Sequence, residues 1–300
     1  MNEPKLNYVS CPDAHGGHRM AYWQWGDAAA SHVIVCVHGL TRQGRDFDVL
    51  ARTLCDKSPS PLRVVCPDVA GRGQSDWLKD PTAYQIPTYA GDMLALLAQL
   101  HAQQPITKLD WFGTSMGGLI GMAITGTPGL PLPVPVRKMV FNDVGPALSV
   151  EGVLRIATYV GKTNQFDSVQ QAADAMWAIS SSFGPHTPQE WLALSTPMVK
   201  PSGAGFTLHY DPAIGVPFQG LTPESIVQGE VALWQLYDAI RADVLVLRGA
   251  QSDLLSPQTA KAMTERGPKA RILEFAGVGH APTLIAPNQT MAVQEFLFAP

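Results

Sequence analysis

The chain contains 300 residues, of which 46% are hydrophobic and 15% are charged, so it can bury a sizeable core and extensive disorder is excluded. Its net charge is −4 and its sequence contains no run of basic residues, which argues against nucleic acid as a partner. No apolar stretch reaches the roughly 18 residues of a membrane span, and no secretory signal is visible, so we expect no membrane partner.

Strands and helices alternate along residues 1–143 after an initial hairpin, and the alternation resumes along residues 241–300. We predict strands at residues 6–10, 19–25, 33–37, 63–66, 109–112, 137–142, 243–247 and 270–275. Helices are predicted at residues 45–55, at 88–103, from about 116 onward, at 257–266 and at 289–298. The alternation predicts an α/β fold, in which a mostly parallel central sheet of about eight strands carries helices on both faces.

Residues 144–240, which we call the insertion, lack this alternation and separate the two parts of the core. Helices are predicted there at residues 150–160, 168–181, 188–196 and 223–240, with an irregular stretch at 201–220. The insertion holds ten of the 24 aromatic residues of the chain. Candidates from it for lining a substrate pocket are Met176, Trp177, Met198 and Phe206.

The charges of the insertion bear on the substrate. It contains eight acidic residues and three basic ones. Because like charges repel, we expect it to disfavour a highly anionic acyl group, an expectation that one well-placed arginine would overturn.

Two short features bear on metals and redox state. The turn at residues 15–18 reads HGGH, but two histidines without cysteine or carboxylate partners favour a hairpin loop over a metal site. The four cysteines form no C-x-x-C motif, and Cys36 and Cys66 lie within or at the end of predicted strands. We therefore expect buried free thiols in a cytoplasmic protein, without a metal or a cofactor.

The segment Gly113-Thr114-Ser115-Met116-Gly117 follows a predicted strand and precedes a predicted helix. It matches G-x-S-x-G, in which the serine sits on a sharp strand-to-helix turn with its Oγ exposed. The two outer glycines leave room where a Cβ would clash, and the helix directs its unpaired N–H groups toward the serine. The pattern predicts that Ser115 is a nucleophile.

A serine nucleophile needs a base, and the base needs a carboxylate that orients it. His280 follows the last predicted strand of the sheet. Asp253 lies in the loop after the strand at residues 243–247, at the sheet edge where sites form. Asp143, directly after the preceding strand, is an alternative that could instead bond backbone N–H groups in the turn into the insertion. We favour Asp253.

Four segments carry a family resemblance: the turn around Ser115, the loops of Asp253 and His280, and the His38-Gly39-Leu40 run after the strand at residues 33–37. Their order is similar to that of the α/β-hydrolase superfamily, specifically its capped branch with a serine nucleophile. The resemblance extends over about residues 6–298, and residues 68–75 (DVAGRGQS) resemble a structural turn of the family.

The resemblance implies further roles. The backbone N–H groups of Leu40 and Met116 would form the oxyanion hole, and His38 would be a structural residue. Thr41 and Arg42, which follow Leu40, are further pocket candidates. The insertion would be a helical cap over Ser115 that sets specificity.

The activity implied is that of a carboxylic ester hydrolase, acting through an acyl-enzyme on a small or medium, largely apolar ester or lactone. A hydrolase of carbon–carbon bonds in ring-fission products is an alternative, although Thr41 and Ala281 depart from the Gly-Pro-Gly run and the Trp typical of those enzymes. An enol-lactone hydrolase, which the His38-Gly39-Leu40 and Ser115-Met116-Gly117-Gly118 runs resemble, a cofactor-free perhydrolase and a ligand-binding protein on the same scaffold also remain open. The oligomeric state does not follow from the sequence.

Overall fold

The structure of the chain, a computed structural model, describes residues 3–299. Its strands are β1 (Lys5–Cys11), β2 (His18–Gly26), β3 (His32–Val37), β4 (Arg63–Pro67), β5 (Lys108–Thr114), β6 (Val136–Asn142), β7 (Gln165–Phe166), β8 (Val199–Ser202), β9 (Gly205–Leu208), β10 (Asp243–Gly249) and β11 (Arg271–Phe275). Its α-helices are α1 (Asp48–Lys57), α2 (Ile86–Gln103), α3 (Met116–Gly126), α4 (Val150–Ala157), α5 (Val169–Ser180), α6 (Pro188–Ser195), α7 (Pro223–Ala239), α8 (Pro257–Glu265) and α9 (Pro287–Phe298).

The main sheet has eight strands in the order β1-β2-β4-β3-β5-β6-β10-β11. β2 pairs antiparallel with β1 and β4, and the remaining neighbours are parallel. The central strand β3 is buried along its whole length, as its apolar sequence predicts for a strand covered on both faces. The predicted fold class is therefore confirmed.

Apolar side chains alternate between the two faces of the sheet, and each face has its own core. Val33 and Val35 point toward α2, α3, α7 and α8. Ile34 and Cys36 point toward α1 and α9. Because β3, β5, β6, β10 and β11 run parallel, their carboxyl ends meet at one edge, where the loops after them come together.

The insertion has its own small core, formed by residues such as Phe166, Met176 and Trp191. Its predicted helices are present, but the stretch at residues 201–220 is more regular than the sequence suggested. It holds the second half of β8, all of β9 and a 3₁₀ helix at Pro212–Phe218. Strands β7, β9 and β8 form an antiparallel sheet. The last helix of the insertion, α7, packs along α3 of the core.

Within residues 3–299, no helix combines the length and the apolar character needed to cross a bilayer. The four cysteines are free; Cys55 is partly exposed and the other three are buried.

Candidate active site

Ser115 lies at the junction of β5 and α3 with a strained backbone, at φ 51° and ψ −116°. The flanking glycines are required by close approach. A Cβ at Gly113 would lie 2.4 Å from the Gly117 backbone, and a Cβ at Gly117 would lie 2.0 Å from the Val37 carbonyl oxygen. The tight turn thus presents the Ser115 hydroxyl at the sheet edge, as the motif predicts.

The Ser115 hydroxyl is hydrogen bonded to a histidine that is itself bonded to a carboxylate. Ser115 Oγ lies 3.0 Å from His280 Nε2, and His280 Nδ1 lies 2.8 Å from Asp143 Oδ2. Because a carboxylate only accepts hydrogen bonds, Nδ1 carries the proton and Nε2 accepts from the serine. This is the geometry of a nucleophile, a general base and an orienting acid.

Asp143 follows β6 and is completely buried. Besides His280, its carboxylate accepts hydrogen bonds from Gly249 N at 2.9 Å and Ser252 Oγ at 2.6 Å. Its own N–H donates to Leu247 O at 2.8 Å, and its backbone has a positive φ of 56°. Three donors and a constrained backbone fix the carboxylate in one orientation.

The structure thus corrects the preference for Asp253 as the residue that orients His280. Asp253 is 45% exposed and its Oδ2 accepts from Arg155 Nε, 2.6 Å away, on α4 of the insertion. The loop after β10 turns back at once, with Ser252 N donating to Gly249 O. That turn directs the Ser252 side chain to Asp143 and leaves the Asp253 side chain at the surface of the protein.

The loop after β3 is held in place from two sides. His38 is buried, donates through Nδ1 to Gly39 O at 2.7 Å and accepts through Nε2 from Val69 N at 2.9 Å. Burial lowers the pKa of His38 to about 3, so the ring stays neutral and keeps a fixed tautomer. This agrees with the structural role expected of His38.

Arg72 joins this loop to the start of α3. Its guanidinium donates through Nε to Leu40 O at 2.8 Å, and its Nη2 lies 3.6 Å from Met116 Sδ. The N–H of Met116 belongs to the first turn of α3, where backbone donors have no partner within the helix. Arg72 therefore fixes the spacing of the two residues predicted to form the oxyanion hole.

Ser115 and His280 line a cavity of about 240 Å³ between the sheet edge and the insertion. Four of the predicted pocket residues, Thr41, Arg42, Met176 and Met198, line it as well. The rest of its apolar wall includes Ile156, Ile179, Phe183, Leu194 and Leu208. Helix α7 contributes no lining residue, which agrees with its packing against the core.

Trp177 and Phe206 do not line the cavity, contrary to the prediction. Trp177 packs edge-to-face on Trp191, with ring centroids 4.9 Å apart, inside the core of the insertion. Phe206 pairs with Phe166 in the small antiparallel sheet. Aromatic content alone could not separate rings that stabilise the insertion from rings that face the cavity.

Sequence reasoning missed the polar residues of the insertion that line the cavity. Arg155, Tyr159, Lys162 and Asn164 belong to α4 and the segment after it. The available signal was the basic residue at 155 within the predicted helix 150–160, because an arginine on a helix that packs over a site can enter the cavity. The other three residues lie beyond the end of α4 at Ala157. Sequence alone does not show which way the Arg155 side chain points.

The positive charge of Arg42 is balanced by Asp46. Its Nε and Nη2 donate to Asp46 at 2.8 and 2.7 Å, and Nη2 also donates to Leu194 O of the insertion at 3.3 Å. Burial raises the pKa of Asp46, and the charge of Arg42 opposes this shift. The pair thus joins the β3 loop to the insertion and adds no net charge to the cavity.

The one group of metal-type ligands found among residues 3–299 lies in the β1–β2 hairpin region, where Cys11, His18 and Asp92 come within 4.8 Å of one another. Both ring nitrogens of His18 are hydrogen bonded, at 3.0 Å, to Asp13 and Asp92. Burial raises the pKa of the Cys11 thiol far above its usual value, so it stays protonated. The carboxylate partners that the HGGH sequence lacked are therefore present, but they form a hydrogen-bonded network and we assign no metal to it.

Comparison with known proteins agrees with this fold. The model of the alpha/beta hydrolase family matches residues 34–293, and the chain belongs to that family. A curated relative, the 3-hydroxybutyrate-oligomer hydrolase of Cupriavidus necator, is 48% identical over 297 residues, which cover 98% of this chain and 97% of the relative.

Two solved structures resemble this chain in fold over nearly their whole length. An alpha/beta hydrolase from Novosphingobium aromaticivorans is 35% identical with a TM-score of 0.83, and each chain is 99% covered. A putative hydrolase from Rickettsia typhi is 26% identical with a TM-score of 0.85, and each chain is 98% covered.

Proposed function

We propose that this chain is a serine esterase that hydrolyses short linear oligomers of 3-hydroxybutyrate. The observation that carries the catalytic part is the hydrogen-bonded series Ser115 Oγ, His280 and Asp143, of which Ser115 and His280 line the cavity. The substrate class rests on the 48% identity, over nearly the whole chain, to a 3-hydroxybutyrate-oligomer hydrolase. Units of a hydroxy acid are joined by ester bonds, the bond that this arrangement of groups attacks.

In the proposed reaction, Ser115 Oγ attacks the ester carbonyl carbon while its proton moves to His280 Nε2. The N–H groups of Leu40 and Met116 stabilise the oxyanion of the tetrahedral intermediate. As the intermediate collapses, the ester C–O bond breaks and His280 gives its proton to the leaving alcohol. Water activated by His280 then cleaves the acyl-enzyme and restores Ser115. Asp143 holds the ring and stabilises its positive charge during both proton transfers.

The cavity supports the substrate class. At about 240 Å³ it is slightly below the roughly 300–1,000 Å³ of usual small-molecule sites, which favours short oligomers. Its wall combines methionine and aliphatic side chains with a few polar groups. A 3-hydroxybutyrate unit likewise offers a methyl and a methylene beside one ester. Residues 144–222 supply much of this wall, together with core residues such as Leu40 and Leu284, and we propose that residues 144–222 form the specificity-determining cap. We also assign the enzyme to the cytoplasm, since free thiols suit a reducing compartment.

The test is hydrolysis of the linear 3-hydroxybutyrate dimer and trimer, followed by release of the monomer, with p-nitrophenyl butyrate as a general ester. We expect turnover of all three by the native chain. Ser115→Ala should lose about 10⁴-fold or more in kcat, because only binding and the oxyanion hole remain.

A fluorophosphonate probe provides the control. It should label the native protein and not Ser115→Ala. Turnover of p-nitrophenyl butyrate without turnover of the oligomers would keep the esterase and reject the substrate. Activity on a ring-fission dienoate or in a perhydrolysis assay, without ester hydrolysis, would contradict the proposal. An inert protein that still binds the oligomers would be a binding protein.

A further inference from the structure

The charges around the cavity are distributed unlike those of the insertion as a whole. Two of the three basic residues of the insertion, Arg155 and Lys162, line the cavity, and none of its eight acidic residues does. The acidic lining residue, Asp46 of the core, is paired with Arg42. Arg155 pairs with Asp253, but Asp253 does not line the cavity, so the charged side chains that α4 and the segment after it contribute to the lining are all basic. This reverses the expectation drawn from the overall charge of the insertion.

The guanidinium of Arg155 is already held in a carboxylate-binding orientation. Asp253 accepts from its Nε–H at 2.6 Å, and the Tyr159 hydroxyl lies beside it. An arginine presents five N–H donors in a planar fork that matches a carboxylate edge-on. Asp253 and Tyr159 together engage two of these five donors, so N–H groups of the fork remain for a second carboxylate in the cavity.

The proposed substrate carries such a group. In a linear oligomer of a hydroxy acid, one end is a hydroxyl and the other is a free carboxylate. In the dimer, the acyl half therefore ends in the hydroxyl, and the carboxylate belongs to the half that leaves as the alcohol. Only two carbon atoms separate it from the ester oxygen, so both groups fit within one small cavity.

Resting on the function proposed above, we propose that Arg155, assisted by Lys162 at the cavity mouth, binds the free carboxylate of the substrate. The ester cleaved is then the last one before the carboxylate end. Its acyl carbon gains the hydroxyl of water, the alkoxy oxygen of the terminal unit gains the proton, and 3-hydroxybutyrate leaves. Longer oligomers are shortened one unit at a time from this end.

The test compares the dimer as the free acid with its methyl ester, which keeps the scissile bond and removes the charge. The native chain should prefer the acid in kcat/KM. Arg155→Gln should lower this preference about 10- to 100-fold, mainly through KM, because a charge-assisted hydrogen bond contributes roughly that factor. Arg155→Lys, which keeps the charge without the fork, should retain part of the preference.

Two control variants make the result specific. Lys261→Gln removes one positive charge from α8, outside the cavity, and should leave the acid preference unchanged. Asp253→Asn removes a negative charge that partly neutralises Arg155, and it should lower KM for the acid while leaving KM for the methyl ester as it was. Labelling of each variant by a fluorophosphonate shows that its Ser115 is intact.

The position of cleavage is an independent measurement. With a tetramer isotopically labelled in its carboxylate-end unit, the first monomer released should carry the label. Release of unlabelled monomer first, or an acid preference that Arg155→Gln leaves intact, overturns carboxylate binding while the esterase assignment stands. If neither form of the dimer is hydrolysed although p-nitrophenyl butyrate is, both the substrate class and this inference fail.

Discussion

Asp143 and Asp253 follow two strands, β6 and β10, that are direct neighbours in the sheet, yet their surroundings are opposite. Asp143 is completely buried, and Gly249 N, Ser252 Oγ and His280 Nδ1 all donate to its carboxylate. Asp253 is 45% exposed and pairs with Arg155 of the insertion. Only the first can hold a histidine in one tautomer, because a buried, fully bonded carboxylate has no competing solvent.

The loops after β6 and β10 have different tasks at this edge of the sheet. The loop after β6 supplies the group that orients the base. The loop after β10 supports that group through Gly249 and Ser252, and it contacts the insertion through Asp253. Substitutions of residues that orient His280 and of residues that contact the insertion should therefore have effects of different size and kind.

The largest expected effect is that of Asp143→Asn. Asparagine would present an NH₂ group to Nδ1 and favour the wrong tautomer, so that Nε2 could no longer accept the Ser115 proton. We expect kcat on p-nitrophenyl butyrate to fall about 10⁴-fold. Circular dichroism should show an unchanged fold, and a loss below about 10-fold would contradict the role of Asp143.

Ser252→Ala should have an intermediate effect. It removes one of the donors to Asp143 and an acceptor for the Leu254 and Leu255 N–H groups. We expect kcat to fall about 10-fold, since one hydrogen bond to a charged group contributes on the order of 1.5 kcal/mol.

The matched control for Ser252→Ala is Ser256→Ala in the same loop. Ser256 caps α8 by accepting from Thr259 N, so its loss should reduce stability by about 1 kcal/mol and leave kcat unchanged. Thermal melts and kinetics on the two variants separate loss of stability from loss of orientation. Equal falls in kcat would mean that the loop acts only through stability.

A smaller effect is expected on the insertion side of the cavity. Met176→Ala enlarges the cavity opposite Ser115, so p-nitrophenyl esters with longer acyl chains should gain about 3- to 10-fold in kcat/KM relative to the acetate. Met291→Ala, a half-exposed methionine on α9, is the control and should not change the chain-length profile. An unchanged profile for Met176→Ala would show that the insertion does not set specificity.

Much of this architecture could be predicted from local patterns. Buried strands are continuous apolar runs in the sequence. The turn around Ser115 requires glycines at positions 113 and 117, because a Cβ there would clash with neighbouring backbone. His280 was predictable because it lies in the short loop after β11, a strand that the sequence pattern locates to within a residue. Strand alternation and turn chemistry are local properties, so they are visible without the fold.

The choice between Asp143 and Asp253 was not local. Both follow parallel strands, and the sequence cannot show that the loop after β10 turns back at Gly249 and sends Ser252 rather than Asp253 inward. The same limit applies to the cavity wall. Trp177 and Arg155 both lie on helices of the insertion, and only packing between segments decides that Arg155 lines the cavity and Trp177 does not.

The smallest expected effect is that of Asp253→Asn on an uncharged ester. The pair with Arg155 is exposed, and such pairs contribute between zero and about 1 kcal/mol. We expect kcat/KM on p-nitrophenyl butyrate to change by less than about 3-fold. A 10⁴-fold loss here, with Asp143→Asn active, would reverse the assignment, because Asp253 would then have to reach His280 during turnover. A small loss together with a lower KM for the charged dimer would show that the charge of Asp253 weakens the attraction of Arg155 for the substrate carboxylate. Asp143 would then serve the orientation of His280, and Asp253 would modulate recognition.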